Sequence, residues 1–228
     1  LYKPWCLNAT PRRFQRRGAS GIAEVCLGFE SIHFHVTGDE FNQPEHVRMY
    51  SRGDMERIWT FRDQIDPTKL TVRSTQVQLG YPLERWSVAN QSVSGFRLQR
   101  GEAGARIEHG QLLGLMPPDG EHFLLAQVSW NLMQKDELFI GIHVLPGVPQ
   151  GIAVRPTGIN VSHSERYVRA FLLPAMPALK EPASLVLPRG WFQAERVIEA
   201  FTDRQARLRL DELLGRGPDF ERVTFTRL

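Results

Sequence analysis

Between residues 85 and 145 the chain runs through five short strand-like segments, at 85–89, 95–99, 112–116, 123–130 and 138–145, and in the first two of them apolar and polar residues alternate. Alternation with a period of two places apolar side chains on one face of a strand. Turn signals separate the segments at Gly101-Glu102, Pro117-Pro118-Asp119-Gly120 and Lys135-Asp136. Short strands at this spacing, with no helical pattern between them, pair as antiparallel neighbours and close into a barrel or sandwich. That constraint governs the reading of every other segment.

The first two strands are joined by Asn90-Gln91-Ser92-Val93-Ser94-Gly95. Before this joint Trp86 and Val88 share one strand face. Asn and Ser side chains bond nearby backbone, and glycine both accepts positive φ and lets another chain or a ligand come close. The joint therefore reads as a polar corner, and the same residues also describe an ordinary strand connection.

Upstream, residues 1–21 form an arm bracketed by Pro and Gly that carries Arg12-Arg13-Phe14-Gln15-Arg16-Arg17. Four cations in six residues repel one another unless an anion joins them. From 22 to 36, Ile22, Val25, Leu27, Phe29, Ile32, Phe34 and Val36 predict two strands with a turn near Gly28. On such a strand His33 and His35 share a face, with Asp39 and Glu40 just beyond, a set formally compatible with part of a metal-hydrolase site. The remaining histidines show no ligand spacing, and there is no nucleophile elbow, phosphate loop or paired CxxC. The chain is accordingly not expected to be an enzyme, and no metal site is assigned.

Residues 39–80 read as an excursion. Met55, Ile58, Trp59, Arg62 and Ile65 share a helical face, Ser51 and Asp54 resemble a capping box, and Asp66-Pro67 ends the helix. A polar strand follows at 71–79. Beyond 150 the chain is Pro-rich through Pro188 and then offers strand patterns at 195–201, 207–210 and 221–228, with a helix at 203–214 as the rival to the middle one.

Lys+Arg number 28 against 25 Asp+Glu, so the pI near 9.1 reflects a small excess of cations, almost all of them Arg. Arginine favours planar, bidentate recognition of phosphate or carboxylate. A hydrophobic content of 42% is enough for a real core. Cys6 and Cys26 cannot make a disulfide framework, which predicts a reducing, cytoplasmic setting. No apolar run approaches the ~18 residues a membrane span needs. The chain opens on Leu1 and not Met, which reads as a piece of a longer protein.

Taken together, Arg12-Arg13-Phe14-Gln15-Arg16 and Asn90-Gln91-Ser92-Val93-Ser94-Gly95 resemble the signature of the PilZ domain, the bacterial cyclic di-GMP receptor module, R-x-x-x-R followed by (D/N)-x-S-x-x-G. Arg12 and Arg16 fit the first element, and Asn90, Ser92 and Gly95 the second. Gly110-Gln111-Leu112-Leu113, Val128-Ser129-Trp130 and Ile140-Gly141-Ile142 resemble the strands that follow. Two features depart from the pattern. Arg16 and Asn90 are 74 positions apart, which the excursion must span, and Arg13 and Arg17 form an equally spaced second pair.

The resemblance implies a mainly β fold: a PilZ-like antiparallel β-barrel over 22–149 with a helix-containing insertion at 39–80, the basic arm at 1–21 in front, and a Pro-rich, β-rich C-terminal extension at 150–228. It implies a cyclic di-GMP-binding receptor or effector in which the ligand orders the arginine arm and alters contact with an unknown protein partner or a missing N-terminal domain. The implied ligand site comprises Arg12, Arg13, Arg16, Arg17, Asn90, Ser92 and Gly95, with no cofactor besides the ligand. Arginine can grip the two phosphodiesters, pair with guanine O6 and N7, or stack on a base. The alternatives are a PilZ-like protein-interaction scaffold that binds no nucleotide, and a nucleic-acid-binding barrel in which Trp86 and Phe96 stack bases.

Overall fold

The computed structural model describes residues 17–18, 20–44, 80–92, 94–101, 103–157, 166–202 and 204–228. Arg12, Arg13 and Arg16, the helix expected around Met55 to Ile65 and the strand expected at 71–79 lie outside these residues. Among the described residues the chain is mainly β, built as two closed six-stranded antiparallel barrels and one short helix.

The first barrel comes from β2 (Ile22–Leu27), β3 (Glu84–Ser92), β4 (Gly95–Gly101), β5 (Leu112–Met116), β6 (Leu124–Gln134) and β7 (Glu137–Val144). Their order is β3-β2-β5-β6-β7-β4, and pairing of β3 with β4 closes the ring. A two-residue strand, β1 (Arg17–Gly18), adds to the free stretch of β3. The alternation seen in the sequence decides what points inward. Ala23, Val25, Trp86, Val88, Leu98, Leu113, Leu115, Val128, Ile140 and Ile142 form a single buried cluster. Lys135 and Asp136 make the turn between β6 and β7 with φ of 48° and 61°, as a tight hairpin requires.

Residues 29–37 correct the expectation of a second strand after Gly28. They form α1 (Phe29–Thr37), whose start and end are set by Gly28 at φ 83° and Gly38 at φ 79°. Glycine reaches that region without a Cβ clash. Phe29, Ile32, His33 and Val36 fall at helical spacing and meet the protein interior, and that period prevails over the shorter alternation through Phe34 and Val36. His33 and His35 consequently do not share a face, since two residues on a helix are about 200° apart.

The C-terminal segment is a complete second barrel. Its strands are β8 (Gln150–Pro156), β9 (Val168–Leu173), β10 (Ser184–Pro188), β11 (Val197–Phe201), β12 (Gln205–Arg216) and β13 (Phe220–Arg227). They close in the order β10-β13-β12-β11-β8-β9. Three of them, β8 to β10, lie where the sequence reads only as Pro-rich. The helix considered for 203–214 is overturned by β12, whose Ala206, Leu208 and Leu210 alternate into the barrel core.

The two barrels share a third apolar cluster. Cys26, Leu112 and Leu125 from the first and Phe171, Leu173, Val186 and Phe220 from the second close around Ile32 of α1. Gly114 lies so close beneath that a Cβ there would stand 2.6 Å from the Cys26 sulfur. Polar contacts fix the register. The Asp219 carboxylate accepts from the Leu112 amide at 3.0 Å, Arg169 pairs with Glu30 at 2.8 Å, and the Gln43 amide bonds both backbone groups of Tyr167 at 2.9 and 3.0 Å.

Ile32 is fully buried in this cluster. Ile32→Ala is expected to destabilise the chain by about 2–5 kcal/mol in chemical denaturation, because the cavity is walled by both barrels and cannot collapse. His33 packs beside it, edge-on to Phe41 at 5.3 Å and tilted against Phe171 at 5.7 Å. Burial, with the nearby Arg169 charge second, lowers its pKa from 6.5 to about 4. The unfolded chain therefore takes up this proton at higher pH than the native one, and native stability falls as pH drops from about 6.5 toward 4. The unfolding free energy of the parent minus that of His33→Phe, followed from pH 7 to 4, should move steadily in favour of the variant as pH falls. A constant difference would contradict the assignment.

Candidate functional site

The polar corner lies where β3 turns into β4. Its geometry follows from two one-residue irregularities in the strands. In β3 the partner of Val88 is Leu98, yet the partner of Asn90 is Arg97, so one extra residue sits between them. Strict alternation would point Asn90 into the core with Trp86 and Val88. The bulge turns it to the outer face, where Arg97 lies directly across. In β6 the same thing happens: Val128 pairs with Ile142, but Trp130 pairs with Gly141. Trp130 is turned outward in consequence.

The registers then run across five strands in one line. Gly18 of β1 faces Asn90 of β3, Asn90 faces Arg97 of β4, Arg97 faces Gly141 of β7, and Gly141 faces Trp130 of β6. The Trp130 indole occupies the space over Gly141, where a Cβ would stand 2.0 Å from its ring nitrogen. The Arg97 guanidinium sits 4.7 Å from the centre of the Phe139 ring and 5.9 Å from that of Trp130.

The Asn90 Oδ1 and the Arg97 Nε are both buried, and neither has a hydrogen-bond partner among the described residues. An unpaired buried polar group costs about 1–3 kcal/mol. An acceptor and a charged donor left open side by side, next to a flat indole, suit a planar molecule that offers hydrogen-bonding edges and negative charge.

The other motif residues hold the corner itself. The Ser92 hydroxyl donates to the Gly95 carbonyl at 3.2 Å, and the Val144 amide donates to the Ser94 carbonyl at 2.9 Å. Gly95 is not at positive φ. It is required for another reason: a Cβ would stand 2.2 Å from the Ile142 carbonyl oxygen of β7. The close approach expected at this glycine is thus made by the neighbouring strand.

The backbone of Arg17 pairs with Gln91, so the last residue of the arginine arm is brought to the corner despite the 74 positions between Arg16 and Asn90. Arg97, Phe139, Gly141 and Trp130 were not among the residues expected at the site. A glycine inside an otherwise apolar strand, as in Ile140-Gly141-Ile142, signals close approach of something bulky, and it is the one sequence sign that pointed here.

The aromatics proposed for base stacking in the nucleic-acid alternative are used elsewhere. Trp86 is fully buried, with Arg100 4.7 Å over its ring and its indole N–H donating to Glu84 at 3.1 Å. Phe96 packs on the first barrel's core. The His33, His35, Asp39 and Glu40 set does not converge, and among the described residues no three His, Cys, Asp or Glu side chains gather as metal ligands. Burial pushes the Cys26 thiol up to about 12, leaving it a packing group.

Comparison with known proteins bears on both barrels. Residues 152–228 match the family described as the FimW C-terminal beta-barrel domain. The chain is also similar to the cyclic-di-GMP receptor FimW of Pseudomonas aeruginosa, at 25% identity over 223 residues that cover 80% of this chain and 36% of that protein. The chain thus spans about a third of the length of the relative it matches. No solved structure matches it significantly. Among the described residues no helix is long and apolar enough to cross a membrane.

Gly95→Ala is expected to cost about 1–3 kcal/mol of stability, since the Ile142 carbonyl or β4 itself must shift to admit the methyl group. Thermal unfolding followed by circular dichroism measures this. An unchanged midpoint would mean that β4 and β7 are less tightly apposed than described.

Proposed function

We propose that this chain is the ligand-binding part of a cyclic di-GMP receptor, with the dinucleotide held on the outer face of the first barrel between the Asn90–Trp130 line and the arginine arm. The observation that carries this reading is the pairing of β1 with β3, which sets the arm's last residue beside the motif corner. Arg12 lies five positions before Arg17, within about 18 Å of extended chain. Chain connectivity therefore keeps both arginine pairs within reach of a ligand at the corner. Similarity to a protein named as a cyclic-di-GMP receptor supports the same ligand, as does the resemblance to the PilZ signature.

In this reading each group has a distinct task. Asn90 accepts from a guanine edge through its open Oδ1, and Arg97 meets either the base or a phosphate through its open Nε. The Trp130 indole offers a face for the second base or the ribose. Arg12, Arg13, Arg16 and Arg17 supply the charge that two phosphodiesters demand and give up their mutual repulsion when they do so. Ser92 and Gly95 act mainly by fixing the corner. Ordering of the arm against the barrel is the change that a protein partner or a further domain would sense, which fits a chain that matches a third of a longer receptor.

Isothermal titration with cyclic di-GMP, with GTP as control, tests the proposal. We expect micromolar or tighter binding, abolished in Arg12→Ala/Arg16→Ala and weakened about tenfold or more in Asn90→Ala and in Trp130→Ala, since base–aromatic stacking is worth about 1–3 kcal/mol. Absence of binding by the folded parent chain at millimolar ligand would defeat the reading and leave a protein-interaction scaffold. Binding that persists in Asn90→Ala and Trp130→Ala would put the ligand elsewhere on the molecule.

A further inference from the structure

The second barrel is packed along most of its length by Val154, Leu187, Ile198 and Val223. At the end where β8, β10 and β12 begin, the packing stops and a cavity of about 450 Å³ opens to solvent. The cause is residue size. Ala200 and Ala206 face each other directly across β11 and β12 at inward positions, where two larger side chains would close the mouth. Ile152, Leu185 and Leu208 form the floor and are almost completely buried.

The rim has the opposite character. Arg227 pairs with the inward-facing Leu208, so its own side chain belongs to the inner face at the end of β13. Arg204, in the turn between β11 and β12, also lines the cavity. Four arginines elsewhere in this barrel are matched to acids, Arg155 with Glu199, Arg209 with Asp211, Arg216 with Glu221 and Arg222 with Glu181, while Arg189 and Arg196 bond backbone carbonyls. Arg204 and Arg227 have no carboxylate partner among the described residues, and no described acid lines the cavity. Both arginines are exposed, so they stand at a solvent-facing rim where an anion can reach them.

We propose that this mouth is a binding site for a small molecule with one anionic head and an apolar body, such as a medium-chain carboxylate. The head lies between the two guanidinium groups, and the body enters toward the alanine pair and the floor. The volume falls in the range of about 300–1,000 Å³ typical of small-ligand pockets, and mouths of β-barrels are a recurrent place for them. The apolar floor offers nothing to a second charge, which separates this ligand class from a dinucleotide. The site is independent of the corner on the first barrel.

The test uses the full chain with the fluorescent probe 8-anilinonaphthalene-1-sulfonate, an aromatic body with one sulfonate. Saturable binding of one probe per chain is expected, displaced by decanoate at least about tenfold more effectively than by decanol, which has the same tail without the charge. Arg204→Gln/Arg227→Gln should weaken the probe about tenfold at an unchanged thermal midpoint. Ala206→Phe should block it by filling the mouth. Probe binding that is unchanged in the arginine pair, or decanol competing as well as decanoate, would overturn the proposal. If Ala206→Phe fails to fold, the arginine pair and the decanol comparison decide.

Discussion

The arrangement of the whole chain depends on the apolar cluster around Ile32. Each barrel has its own closed core, and closed sheets have no edges through which to join. What joins them is a helix of nine residues laid between outward-facing apolar side chains of both, with Ile32 against Cys26, Leu112, Leu125 and Phe171. Those residues occupy the outer positions of their strands. In an isolated barrel they would be wet. Their burial explains why β5 reads as a nearly continuous apolar run, since both of its faces are covered.

The candidate site depends on a different device. A barrel face built from regular strands would have shown the solvent whatever residues alternate outward. Two bulges on β3 and β6 move Asn90 and Trp130 out of the inward register and bring them into line with Arg97. Each bulge leaves a residue out of the ladder, and in the line they create Oδ1 of Asn90 and Nε of Arg97 are unpaired among the described residues. Two open groups at one place are consistent with the ligand site proposed for this corner. The Arg100 Nε is also unpaired, but its other nitrogens are taken up by Glu84 and the Ala105 carbonyl, so it belongs to a structural network.

Much of the fold was legible in the sequence because period-two alternation is a direct consequence of burying one strand face. The strands expected at 112–116 and 95–99 appear as Leu112–Met116 and Gly95–Gly101. The reading failed where a segment is covered on two sides. Phe29 to Thr37 has apolar residues at both strand and helix spacing, and only the presence of the second barrel decides between them. β9 and β10 were hidden for a related reason: Phe171, Leu173 and Val186 are outward positions made apolar by the shared core, which blurs alternation. At the site, the Asn90, Ser92 and Gly95 spacing was visible. The bulges were not, because an extra residue in a ladder is defined by its partner strand, and Arg97 and Trp130 went unnoticed with them.

The joint between the barrels bears on how a ligand on the first could be felt beyond it. β7, whose Gly141 lies in the candidate site, continues through residues 145–149 directly into β8. This connection is short and tied down. Leu145 is buried in the shared cluster and its amide donates to the Leu125 carbonyl at 2.8 Å, Pro149 is buried, and Gly147 is pressed against Pro174, where a Cβ would stand 3.0 Å from the ring. With two prolines, a tight glycine contact and the Ile32 cluster on either side, the joint has no run of free backbone torsions to act as a hinge. Bending between the barrels would have to open the apolar cluster. In the proposed reading, a ligand worth a few kcal/mol would leave that cluster closed, the two barrels would respond as one body, and any response would fall to the segments attached to them.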